Sequence, residues 1–73
     1  MKTLDRLKKD NTSKILKIYA TGDLKTRLSS FGVTRGSSFR VLSCSARKQT
    51  IKIKIGSTQI ALRLEEAQTI EVE

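Results

Sequence analysis

From Phe39 to Leu62 the chain alternates apolar and polar residues with a period of two. Ile51, Ile53 and Ile55 face one way while Lys52 and Lys54 face the other, the cleanest strand signature in the sequence. Phe39 and Val41 alternate with Arg40 and Leu42 before it, and Ile60 and Leu62 with Ala61 and Arg63 after it. The polar stretch Ser45-Ala46-Arg47-Lys48-Gln49 reads as a hairpin loop, and Gly56-Ser57 as a two-residue hairpin turn. Leu64 to Gln68 predicts a short helical turn, and Thr69 to Glu73 a last strand with Ile70 and Val72 inward.

The first half of the chain mixes two periods. Leu4 and Leu7 stand at i, i+3 spacing, enough for one helical turn within residues 3–9, and Asp10 to Ser13 reads as a turn. Residues 14–20 are rich in strand formers, with Leu16 and Ile18 assigned to the inner face beside Lys14. Thr21-Gly22-Asp23 then stops that strand and starts a helix, Asp23 serving as N-cap. Leu24, Leu28 and Phe31 follow at i, i+4, i+7 and form its apolar stripe. Gly32 stands where a left-handed residue ends a helix, and Val33 is placed to fold back on the last turn. Thr34-Arg35-Gly36-Ser37 predicts a tight turn into the next strand.

The elements add up to a mainly β fold of about five short strands with one helix inserted between strands one and two. A flat sheet of such strands leaves one face uncovered and two edges open. Closing it into a small SH3-like barrel resolves both. With 73 residues and no linker, repeat or Pro, residues 1–73 read as a single domain.

Composition narrows the chemistry. There is no His and one Cys, Cys44, so a disulfide within the chain and a four-ligand zinc site are excluded. General acid–base catalysis near neutral pH usually recruits His, and no nucleophile–base pair or phosphate-binding glycine loop is visible. No catalysis, cofactor or metal is therefore expected. No run is long and apolar enough to span a membrane, and no apolar segment follows the basic N-terminus as a signal peptide requires. The expected location is the cytoplasm.

Fifteen Lys and Arg against seven Asp and Glu give a net charge of +8. The excess is concentrated early, at +4 over residues 1–20 and +3 over residues 21–40. Such a field attracts nucleic acid, an anionic membrane surface or an acidic protein. Nucleic-acid binding by a small basic barrel needs aromatic platforms. Phe31 and Phe39 both fall in apolar periodicities that assign them to the core, which leaves Tyr19 alone. The same shortage of aromatics argues against a polyproline-binding groove.

One ordered set of residues carries a family resemblance. Gly22, Arg27-Leu28, Phe31-Gly32-Val33, Gly36, Phe39 and Val41 follow the layout of the FeoA family. The opening Leu4-xx-Leu7, Ile60-Ala61-Leu62-Arg63 and Glu65-Glu66-Ala67 extend it over residues 4–73. Arg35 stands where many members have Pro, and Lys9-Asp10 where many have Pro-Gly. The resemblance implies an SH3-like barrel and a cytosolic accessory of ferrous iron uptake. The partner it implies is the FeoB-type membrane GTPase transporter, which the chain would dock on and modulate. A basic module working there also gains from the anionic inner leaflet, by about 1 kcal/mol per cation near the surface. The alternative is a basic small-barrel nucleic-acid binder.

Candidate partner contacts are Arg27 on the helix, Arg35 in the turn after it, Arg47 and Lys48 on the hairpin tip, and Lys52 and Lys54 on a strand. Binding residues concentrate on loops held by a rigid scaffold, which favours Arg47-Lys48. Lys52 and Lys54 read either as a phosphate- or lipid-binding pair or as the solvated face of a strand. Cys44 reads as a small strand residue, and Glu65 and Glu66 as the start of the short helix rather than metal ligands.

Overall fold

A computed structural model describes residues 1–73. A 3-10 turn at Leu4–Arg6 leads into strand β1 (Thr12–Ile18), helix α1 (Gly22–Ser30), the meander β2 (Ser38–Ser45), β3 (Thr50–Ile55) and β4 (Thr58–Arg63), helix α2 (Leu64–Ala67) and β5 (Ile70–Val72). All five strands join one antiparallel sheet in the order β4-β3-β2-β1-β5, with α1 between strands one and two. This is the SH3-like strand order. The sheet curls around its core but does not close: β4 and β5 are its two edges and do not pair with each other. The four-residue helix α2 fills the gap, burying Ala67 completely.

Turn chemistry places the hairpins as their residues require. Gly56 has φ +59° and Ser57 does not share the positive φ, the pattern of a type II′ turn, which needs Gly first. The β2–β3 loop is held by the Lys48 N–H on Ser45 Oγ (3.1 Å) and closes through Gln49 at φ +54°. Helix α1 ends in a complete Schellman motif. Gly32 at φ +85° donates its N–H to the Ser29 carbonyl (3.0 Å), and Val33 to the Leu28 carbonyl (2.9 Å). Val33 and Leu28 are both fully buried. The start of α1 differs from expectation: Thr21 stands at the N-cap without a side-chain cap bond, and Asp23 lies inside the first turn.

Fifteen apolar side chains form one core, with no buried polar or charged residue among them. Two β-bulges decide which residues enter it. In β1 the register with β5 passes from Ile15↔Val72 to Lys17↔Glu71, so Leu16 is an extra residue. The extra residue breaks the alternation. Ile15 is fully buried and Ile18 partly so, three positions apart, while Leu16 is 41% exposed, the reverse of the inner face expected for it. In β2 a second bulge sets Leu42 between Val41↔Ile53 and Ser43↔Lys52.

Phe31 also departs from its expected place. It caps α1 at φ −92°, ψ 3°, and is 42% exposed, because the Schellman turn seats Val33 against Leu28 instead. Phe39 is in the core as expected.

The bulge makes the two neighbours of β1 energetically opposite. Ile15→Ala removes a fully packed side chain and is expected to cost about 2–5 kcal/mol. Leu16→Ala is expected to cost less than about 1 kcal/mol. Urea unfolding of both variants checks this; equal losses would mean that Leu16 enters the core.

Candidate functional site

The outward face of the β2-β3-β4 meander is built by register. Arg40 of β2 pairs with Lys54 of β3, which pairs with Gln59 of β4. The next row is Ser43, Lys52 and Ala61. Because Ile51 and Ile53 point into the core, Lys52 and Lys54 must point out. Thr12 continues the first row on the far side of Arg40, and Lys14 lies opposite Ser38. Lys14, Arg40 and Lys54, with the hydroxyl-bearing Thr12, Ser13 and Ser38, line an open depression on this face. Glu73 closes one side of it, its carbonyl accepting Ser13 Oγ (3.1 Å) and its N–H donating to the Lys14 carbonyl (3.0 Å).

The cations there are largely uncompensated. Four of the fifteen Lys and Arg (Arg6, Arg27, Arg40 and Arg63) lie within 4.0 Å of a carboxylate, and the other eleven do not. Arg40 meets Asp10 at 2.8 Å, but both side chains are more than half exposed, so that pair is weak. Lys14, Lys52 and Lys54 have no partner, and like-signed charges held on one rigid face make an anion-attracting surface.

The expected contact residues separate into four places. Lys52 and Lys54 share the outward face of β3. Arg47 and Lys48 are exposed on the β2–β3 tip, and Arg35 lies before the start of β2, so the tip and Arg35 bracket that strand. Arg27 belongs to a different site. It projects from α1 to Glu66, which also accepts the Arg63 backbone N–H at 2.9 Å. Partial burial pushes the Glu66 carboxyl up, but the Arg63 N–H and the Arg27 guanidinium outweigh it, and its pKa is held below the ordinary value. Glu66 thus ties α1 to the end of β4. Sequence periodicity did not point to Lys14 or Arg40 as members of the cationic face. Their membership follows from pairing registers, Arg40 set beside Lys54 across β2–β3 and Lys14 brought alongside through β1–β2, and such registers leave no mark along the chain.

Two aromatics are exposed, Tyr19 (46%) and Phe31 (42%), where only Tyr19 was expected. They lie on either side of α1, Tyr19 before its start and Phe31 at its C-cap. The Tyr19 hydroxyl donates to Glu71 Oε1 (2.9 Å), and the Lys17 ammonium lies 4.9 Å from its ring centre. That hydrogen bond to Glu71, with some desolvation and the carboxylate's charge, raises the phenol pKa. Cys44 is a strand residue whose thiol approaches the Leu7 carbonyl at 3.5 Å. No three His, Cys, Asp or Glu side chains converge in a group able to hold a metal ion. No helix is long and apolar enough to cross a membrane.

Glu66 offers a check on the α1–β4 tie. Its depressed pKa means that its stabilisation is present at neutral pH and is lost as pH falls from about 4.3 through the lower folded-state value. Glu66→Ala is therefore expected to cost about 1 kcal/mol at pH 7. The gap to the parent should narrow towards pH 3 in urea titrations. A gap independent of pH would leave no role for the ionised carboxylate.

A family model described as the FeoA domain matches residues 2–73. A Campylobacter jejuni protein described as a candidate Fe(2+) transport protein A is 34% identical over 70 residues, covering 96% of this chain and 95% of that one. A Helicobacter pylori protein of the same description is 42% identical over 67 residues, covering 90% and 86%. Among solved structures, iron(II) transport protein A from Clostridium thermocellum superposes with a TM-score of 0.90 at 30% identity; the match covers 99% of this chain and 44% of that one. A manganese-dependent transcriptional repressor superposes with a TM-score of 0.92 at 25% identity, again over 99% of this chain but 40% of the repressor.

Proposed function

Since the chain belongs to the FeoA family of ferrous iron transport accessory proteins, we propose that it docks, without catalysing a reaction itself, on the cytosolic side of a FeoB-type membrane GTPase transporter and modulates it. Residues 1–73 act in this reading as one FeoA-like unit. The observation that supports it is the rigid outward face bearing Lys14, Lys52 and Lys54, none of them neutralised by a carboxylate, in a chain of net charge +8. That face meets an acidic surface of the transporter. Arg47 and Lys48 on the hairpin tip and Arg35 at the other end of β2 extend the contact, while Arg27 holds Glu66 and shapes the neighbouring edge.

The membrane contributes a second attraction. Lys and Arg near an anionic leaflet gain about 1 kcal/mol each, within a screening length of roughly 8–10 Å. Two or three cations at that distance concentrate the chain beside the transporter without anchoring it. The chain works there as a peripheral, cytoplasmic adaptor.

The test is capture of the purified full-length transporter by the immobilised chain at two salt concentrations. Parent chain is expected to retain it, less so at higher salt. The double reversal Lys52→Glu with Lys54→Glu should weaken retention by about tenfold or more, equivalent to about 1.4 kcal/mol. Both side chains are exposed, so the fold should survive. No retention by the parent overturns docking; unchanged retention by the reversal moves the contact to another surface.

A further inference from the structure

The two edges of the sheet are treated differently by the chain. The β5 edge is covered. Thr3 bridges to Glu71, and the Val72 N–H donates to the Lys2 carbonyl (2.9 Å), so the N-terminal segment lies along it as a short sixth rung. The β4 edge has no such cover, because β4 pairs only with β3.

The hairpin geometry says which groups of β4 are left over. In a two-residue hairpin the closing pair, here Ile55↔Thr58, is hydrogen-bonded, and bonded pairs then alternate with unbonded ones. Thr58, Ile60 and Leu62 therefore turn their backbone groups towards β3, and Gln59, Ala61 and Arg63 turn theirs away. Two bonds further along agree with this parity. The Leu64 N–H donates to the Gln49 carbonyl (2.9 Å), and the Arg63 N–H turns away to the Glu66 carboxylate (2.9 Å). Glu66 thus stops the edge at Arg63. What remains is a slot two residues wide, offering the N–H and C=O groups of Gln59 and Ala61.

Side chains give the slot a chemical character. Arg27, Phe31, Gln59, Ile60, Ala61 and Arg63 line a depression along this edge, with Glu66 at its end, where its carboxylate is engaged by the Arg27 guanidinium and the Arg63 N–H. On its inner side stands Phe31, expelled from the core by the Schellman turn and 42% exposed. On its outer side the row Lys52–Ala61 places an unpaired ammonium one strand in, with only a methyl group between it and the edge. Lys54 lies behind Gln59 in the same way. A second copy of the chain pairing here would bring +8 against +8. An occupant of opposite charge meets no such opposition.

We propose that the β4 edge accepts an extended acidic segment of a partner protein as an added strand. Its backbone bonds to Gln59 and Ala61. Alternate side chains divide between the two faces: apolar ones cover Phe31 on the inner side, and carboxylates reach Lys52 and Lys54 on the outer side. The proposal does not depend on which protein supplies the segment, and its test needs no transporter.

The probe is a blocked pentapeptide of sequence Glu-Val-Glu-Val-Glu, titrated into the isotope-labelled chain while amide hydrogen exchange is followed residue by residue. At saturation the amides of Gln59 and Ala61 are expected to slow by about tenfold or more, together with shifts of the Phe31 ring resonances. A Lys-Val-Lys-Val-Lys peptide should bind at least about tenfold more weakly, and an acidic peptide N-methylated at its central residue should give no protection. Ala61→Pro deletes one free N–H at a position where an edge strand tolerates Pro and should reduce binding likewise; the N-methylated peptide makes the same cut without altering the fold. Absence of protection at Gln59 and Ala61 with millimolar acidic peptide overturns the proposal. So does equal binding of the basic peptide. Protection that grows with chain concentration in the absence of peptide also overturns it, since a second copy then occupies the edge.

Discussion

Five short strands can share one core only if the sheet bends, and the two bulges make it bend. Leu16 in β1 and Leu42 in β2 each add one residue without a partner. A bulge increases local twist and turns the strand, so the β1–β5 ladder swings over the β2-β3-β4 meander instead of lying flat beside it. Ile15, Val41, Ile53 and Ile70 then meet in one fully buried cluster. Three further features follow from that bend: helix α1 anchored chiefly through Leu28, the gap that α2 fills with Ala67, and an outward face that carries only polar side chains on β3.

Legibility in the sequence tracks how local each determinant is. The β3 alternation, the Gly56-Ser57 turn and the Gly32-Val33 helix end are set by residues within a few positions of one another, and all three stand in the structure where their residues put them. The inner face of β1 is not local. Its parity depends on where β5, more than fifty positions later, skips a residue against Leu16. An unbroken period of two puts Leu16 inward and Ile15 outside, and the bulge reverses both. Phe31 failed for a related reason. The i, i+4, i+7 stripe was real, but the Schellman motif that also was legible ends the helix one residue too early for Phe31 and gives its place to Val33. Closure of the barrel was a global inference from strand shortness, and the chain satisfies its backbone by other means, a strap on one edge and a helix in the gap. The cationic pair Lys52 and Lys54 was visible in the alternation, whereas its neighbours Lys14 and Arg40 needed the register between strands.

Charge and packing are divided cleanly in this molecule. No charged or polar residue is buried, and no buried side-chain polar atom lacks a partner. The net charge of +8 is therefore carried wholly at the surface, where it contributes little to folding and opposes it slightly through self-repulsion. Acidic residues are spent where they organise structure: Glu66 on Arg27 and the Arg63 N–H, Asp10 on Arg40, Glu71 on the Tyr19 hydroxyl. On β3 this leaves Lys52 and Lys54, which make no ion pair within the chain. Charges without an internal role are free to act outward.

The same division explains why the two edges differ. An uncovered edge is a liability in a soluble protein because it templates pairing with other chains. The chain shields β5 with its own N-terminus and shortens the free part of β4 to Gln59 and Ala61 by capping Arg63 with Glu66. Self-pairing at that remnant is opposed by charge, with Lys52 and Lys54 directly behind it. An edge that is short, electrostatically protected against its own kind and flanked by an exposed aromatic is selective rather than merely exposed. Its preference for an acidic strand arises from the same lysines that keep two copies of the chain apart.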